Sequence, residues 1–244
     1  MKIKVHNTTY IFLLISFLAG YFEYMYILLL IIFIHETGHY LFALINNIKI
    51  SNITIYPFGG VTNLDCDLNI SIKKEFMCLI GGIIFQILFF LFIRFLYIEN
   101  QITTHIYELN KEINILLISF NFLPILPLDG GKLINVIFDK IIPYKISHTI
   151  TIIISIIFTI IFILTKRTIL SVVLSLMLLN NIYEEYKIRN YKFNKLLLER
   201  YLKKYKFKKI KIINKIDKIN RDKYHIIDNK FESDYLSKMF DKSR

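Results

Sequence analysis

Between Tyr24 and Ile45 runs an apolar stretch that breaks its own pattern once, at His35-Glu36-Thr37-Gly38-His39. A helix of about 20 residues crosses the hydrocarbon core of a bilayer, so a run of this length and hydrophobicity predicts a membrane span. Ionisable side chains at such depth cost roughly 2.5 to 3.5 kcal/mol each on insertion scales, and they usually mark a functional interior. On a helix, residues four apart share a face. His35 and His39 can therefore ligate one ion while Glu36 stands beside the open coordination position. Chance supplies only about 0.006 such pentapeptides in a chain of this composition.

The neighbouring sequence has the same character. Further apolar stretches run from Thr8 to Phe22, Phe76 to Tyr97, Ile113 to Ile134, Thr149 to Leu164 and Thr168 to Tyr183. The shorter ones reach spanning length by borrowing their polar flanks, which gives about six crossings. The mean hydropathy of +0.48 argues against a water-soluble globular domain. Charge is unevenly placed: 19 of the 31 Lys and Arg and 9 of the 19 acidic residues lie between Glu184 and Arg244, giving that tail +10 of the net +12. The positive-inside bias, read over Lys2, Lys4, Lys49, Lys73, Lys74, Lys140, Lys145 and the tail, puts both termini in the cytoplasm. No small-residue cleavage site follows Lys2 and Lys4, so the first apolar stretch reads as a retained span. The expected fold is an all-α polytopic membrane protein with a basic cytoplasmic tail, divided into residues 1–188 and 189–244.

Two local features interrupt the helices. From Ile48 to Val61, β-branched and polar residues alternate up to Pro57 and Gly59-Gly60, which predicts a short β hairpin at the membrane surface or a plain loop, with a strand edge that could pair with an extended peptide. In the tail, Tyr205–Ile213 and His225–Asp228 suit short strands and Glu232–Phe240 a short helix. The simpler reading, and the one preferred, is a basic segment resting on anionic lipid. A Lys-rich run alone is a weak signal for nucleic acid. Cys66 and Cys78 form no CxxC pair and read as small apolar filler.

Two histidines do not complete a catalytic zinc site, which generally takes three protein ligands and keeps a position for water. Asp129 is the best candidate for the third, in the run Asn121-Phe122-Leu123-Pro124-Ile125-Leu126-Pro127-Leu128-Asp129-Gly130-Gly131. Two of the four prolines fall here, and a proline break within the membrane is tolerated where it faces protein or a water-filled cavity. A loop turn just beyond the membrane would explain the Asp-Gly pair equally well.

Together, HExxH in one span and Asn-x-x-Pro-x-x-Pro-Leu-Asp-Gly in a later one resemble the site-2 protease class of intramembrane zinc metalloproteases, most of all its sporulation branch. The resemblance implies one Zn2+ per chain held by His35, His39 and Asp129, with Glu36 as the catalytic base. Asn121 would then orient the substrate backbone or the developing oxyanion. It implies a membrane-associated protein substrate, in particular the pro-segment of a sporulation sigma factor cut in the mother-cell membrane around the forespore, and membrane proteins that inhibit the enzyme. The chain departs from the family in its third span, where Gly81-Gly82 and then Gln86 replace a Gly-Pro pair followed by Asn. Paired CBS-type modules end some relatives. The tail here has length for a degenerate half-module at most. Rival readings of the same His/Glu/Asp cluster are a membrane prenyl-protein protease, a polytopic zinc or proton transporter, and an inactive regulatory homologue.

Overall fold

The computed structural model describes residues 2–5, 7–48, 50–56, 59–64, 67–166, 168–203, 205–207 and 209–241. Lys49, Pro57 and Cys66 lie outside them. By internal packing the chain divides into two units, residues 1–66 with 76–120 and residues 67–75 with 121–244.

The first unit begins with strand β1 (Lys2–Val5) and helix α1 (Asn7–Leu18), followed by the long α2 (Phe22–Ile45). Strands β2 (Ile50–Tyr56) and β3 (Gly59–Leu64) form the antiparallel hairpin that the alternating sequence predicts, with Ile53 opposite Thr62. β1 joins β2 in parallel, Lys2 opposite Asn52, to complete a three-stranded sheet. Helix α3 (Ile72–Ile98) starts on residues of the second unit and continues into the first, where α4 (Thr104–Asn121) follows. Met25, Ile31 and Ile32 of α2 pack against Ile113 and Leu117 of α4, with Phe89 of α3 alongside. Glycines bring α2 and α3 together. A Cβ on Gly38 would collide with the Gly81 carbonyl, and one on Gly81 would lie 2.7 Å from the Phe42 ring. Small residues permit such close backbone approach, a common device in membrane helix pairs.

The second unit opens at a break. Residues 122–128 are not helical, and α5 (Asp129–Ile141) starts only after them. The expected span from Ile113 to Ile134 is thus not one helix: Pro124 and Pro127 remove backbone donors, and α4 ends before them. Leu126 N–H instead finds the Ser155 Oγ of α6 (Tyr144–Lys166) at 2.9 Å. Ser155 belongs to a buried stripe with Ser147, Thr151 and Thr159. Thr151, Ser155 and Thr159 each donate to the carbonyl four residues earlier, at 2.7 to 3.0 Å.

Helix α7 (Ile169–Lys203) is 35 residues long and leads into strands β4 (Ile210–Ile213), β5 (Tyr224–Ile227) and β6 (Lys230–Phe231), then helix α8 (Glu232–Asp241). β4 pairs with β5 in parallel and β5 with β6 antiparallel. This layer has its own core of Ile213, Ile227 and Leu236 closed against Phe193, Leu196 and Leu197 of α7. Two buried arginines bind it further. Arg221 reaches Asp139 at 2.8 Å and Glu75 at 2.6 Å, while Arg200 pairs with Glu232 at 2.9 Å and with Asn69 at 2.6 Å. Burial alone would raise the Glu232 pKa, but its bonds to His225 and Arg200 hold it below the ordinary carboxylate value.

Among the described residues, three helices are long and apolar enough to cross a membrane: Phe22–Ile45, Ile72–Ile98 and Tyr144–Thr165. They match the expected second, third and fifth stretches. α1, at 12 residues, is shorter than a span requires.

Candidate metal centre

Helix α2 places His35, Glu36 and His39 in the interior of the first unit, at 4%, 4% and 5% exposure. The two imidazoles are oriented by α3. The His35 Nδ1–H donates to Gln86 Oε1 at 3.0 Å, and the His39 Nδ1–H donates to the Cys78 carbonyl at 2.9 Å. With both Nδ1 protons committed to oxygen acceptors, the Nε2 electron pairs converge, and the two nitrogens stand 3.1 Å apart. Ligand atoms of all three residues lie within 4.8 Å of one another. Two electron pairs brought this close repel unless a cation lies between them.

The donor set fits zinc. Tetrahedral Zn–N bonds of 2.0 to 2.1 Å put two nitrogens about 3.3 Å apart, near the observed 3.1 Å. The neighbouring backbone leaves room: a Cβ on Gly82 would stand 2.5 Å from His39 Nε2 and 2.8 Å from His35 Nε2. Glycine at this position thus keeps the space before both imidazoles open, a requirement that goes beyond close helix packing. Cys78, read from sequence as filler, is buried and contributes its carbonyl to His39; its thiol donates to the His39 carbonyl at 3.4 Å.

Asp129 and Asn121 belong to the second unit. Asp129 is the first residue of α5, 7% exposed, with Lys132 Nζ 3.5 Å from its Oδ1. The preceding loop doubles back over this helix start. A Cβ on Gly130 would collide with the Phe122 carbonyl, and one on Gly131 would lie 2.5 Å from the Ile125 carbonyl carbon. The Asp-Gly-Gly sequence is thus demanded by the fold of the break. Asn121, half-buried, ends α4 at the start of that loop.

The profile of Peptidase family M50 matches residues 23–112, which include all of the His35–His39 segment. Stage IV sporulation protein FB of Bacillus subtilis (strain 168) is 31% identical over 207 residues, covering 82% of this chain and 72% of that protein. The chain belongs to peptidase family M50, the site-2 proteases. The fold agrees: Site-2 Protease from Methanocaldococcus jannaschii superposes with a TM-score of 0.59 at 24% identity, over 75% of this chain and 89% of that one. As a site-2 protease the chain is a membrane metalloprotease, which decides between the enzyme and transporter readings of the cluster.

Two contacts that support this protease's interior escaped the sequence reading. One is the Cys78 carbonyl, which has no sequence signature because backbone carries none. The other is Ser155, and its signal was present: Ser147, Thr151, Ser155 and Thr159 recur every four residues in an otherwise apolar helix, which places four hydroxyls on one face.

Proposed function

We propose that this protease hydrolyses a peptide bond in a membrane-associated regulatory protein, specifically the pro-segment of a sporulation sigma factor. The observation that carries the reading is the buried His35-Glu36-His39 cluster in a chain 31% identical to a stage IV sporulation protein. His35, His39 and Asp129 would hold one zinc per chain, which supplies a Lewis acid at the scissile carbonyl and makes the attacking water more acidic. Glu36 accepts the proton of that water and delivers it to the leaving amide nitrogen. Asn121 donates its side-chain N–H groups to the substrate backbone or to the oxygen on which negative charge develops.

In this reading the chain crosses the membrane six times, with the α4–α5 segment, α7, and α1 lengthened by its flanking residues supplementing the three long apolar helices. Both termini are cytoplasmic, the setting is the mother-cell membrane around the forespore, and residues 189–244 are a basic cytoplasmic tail, continuous with α7, that rests on anionic lipid. Inhibitory membrane proteins would hold the enzyme off until cleavage is needed. The test is co-expression of wild type or Glu36→Gln with a tagged pro-sigma factor, read by product size. Shortening with wild type alone is expected. Shortening with both variants would remove Glu36 from the chemistry, and shortening with neither would refute the substrate.

A further inference from the structure

Gln86 is a fully buried amide on α3, at 0% exposure, in a helix otherwise apolar through its middle. An amide in such surroundings costs about 1 to 3 kcal/mol if its groups stay unpaired. Both ends of this one are engaged within the first unit. Nε2 donates to the Asn114 backbone carbonyl of α4 at 3.4 Å, and Oε1 accepts from His35 Nδ1 at 3.0 Å.

The direction of the chain of bonds is forced. A backbone carbonyl can only accept, so the NH2 group of Gln86 must face Asn114. The amide oxygen then faces His35, and since it too can only accept, the proton of His35 must sit on Nδ1. His39 is fixed in the same tautomer by the backbone carbonyl of Cys78. Of the two Nδ1 contacts, only that of His35 runs through a side chain.

We propose that Gln86 is a positioning residue of the metal centre, its amide locking His35 in the tautomer that turns the Nε2 electron pair toward His39 and Glu36. The inference rests on the zinc reading of His35 and His39. The side chain is long enough to reach from α3 to both α2 and α4. Partners of this kind orient the ring and raise its basicity, and their removal typically weakens metal binding about 10- to 100-fold.

A residue that only tied α3 to α4 would be served or harmed by different replacements, and this separates the roles. Gln86→Met keeps the length and volume but removes the acceptor. Gln86→Glu keeps an acceptor for His35 and, ionised, gives up the donor to Asn114. Zinc affinity is read on the purified chains by competition with a chromophoric chelator, with the visible absorption of the Co2+ form as a report on ligand geometry. The expected result is a loss of about 10- to 100-fold for Gln86→Met with an altered Co2+ spectrum, and recovery to within a few-fold of wild type for Gln86→Glu. Wild-type affinity in Gln86→Met, or equal losses in both variants, overturns the proposal. Should Gln86→Met fail to fold, Gln86→Glu decides: weakening of tenfold or more refutes it and near-wild-type affinity supports it. Wild-type protein that binds no zinc would instead refute the metal-centre reading on which this one stands.

Discussion

Substituting Gly82 by Ala tests whether the space between the imidazoles is reserved for a metal. The added methyl would stand 2.5 Å from His39 Nε2 and 2.8 Å from both His35 Nε2 and His39 Cε1. Ordinary contact between such atoms begins near 3.4 Å, so the rings must retreat by about 0.6 to 0.9 Å, whereas metal-ligand distances tolerate about 0.2 Å. We expect zinc affinity to fall on the order of 100-fold, about 2.7 kcal/mol. Gly81→Ala is the control. Its methyl would meet the Phe42 ring at 2.7 Å and the Gly38 carbonyl at 2.8 Å, which overpacks the α2–α3 crossing by about 1 to 3 kcal/mol without touching either Nε2. The assay is chelator competition in detergent, with Tm recorded on the same samples. Gly82→Ala should lose zinc out of proportion to any loss of Tm, and Gly81→Ala the reverse. Wild-type zinc affinity in Gly82→Ala would mean that the space before the imidazoles is not reserved for a metal.

Two further outcomes concern the C-terminal layer. Arg221→Met leaves Asp139 and Glu75 without the guanidinium that now sits 2.8 and 2.6 Å away; removing one partner of a buried pair costs about 3 to 5 kcal/mol, or about 10 °C in Tm, and an unchanged Tm would show that the arginine contributes nothing to folding. Glu232 has its pKa depressed below the ordinary value of 4.5 by His225 and Arg200 against the opposing effect of burial, so its contribution is present above that value and lost as pH falls through the lower folded one. Thermal scans from pH 7 downward should therefore show a smaller loss of stability on acidification in Glu232→Gln than in wild type, starting from a lower Tm at pH 7. Parallel profiles would contradict the ion pair.

Much of the site is readable from spacing because it rests on local geometry. Four residues are one helical turn, so His35 and His39 must share a face, and the β-branched alternation after Ile50 forms the hairpin it predicts. What the sequence hides depends on contacts at long range. Nothing in Ile113–Ile134 shows on which side of the prolines the helix resumes; that is set by Ser155 accepting Leu126 N–H and by Gly130 and Gly131 fitting beneath the loop. The C-terminal layer is obscured by its lysines. Arg200 and Arg221 look like two more cations in a basic run, yet each is buried against carboxylates that lie far away in sequence. Charge counting treats all cations alike, and only packing separates these two from the other described cations of the tail. Gly82 was legible as a small residue at a helix crossing, but its second duty before the imidazoles appears only when α2 and α3 are set side by side.

If His35, Glu36 and His39 form the working centre of a zinc protease, zinc per chain and substrate cleavage, measured on the same preparations of wild type, His35→Ala and Glu36→Gln, separate metal binding from proton transfer. Wild type should carry one zinc per chain and cleave, His35→Ala should lose both, and Glu36→Gln should keep its zinc while losing cleavage. Full zinc retention in His35→Ala, or cleavage by Glu36→Gln, would contradict that assignment.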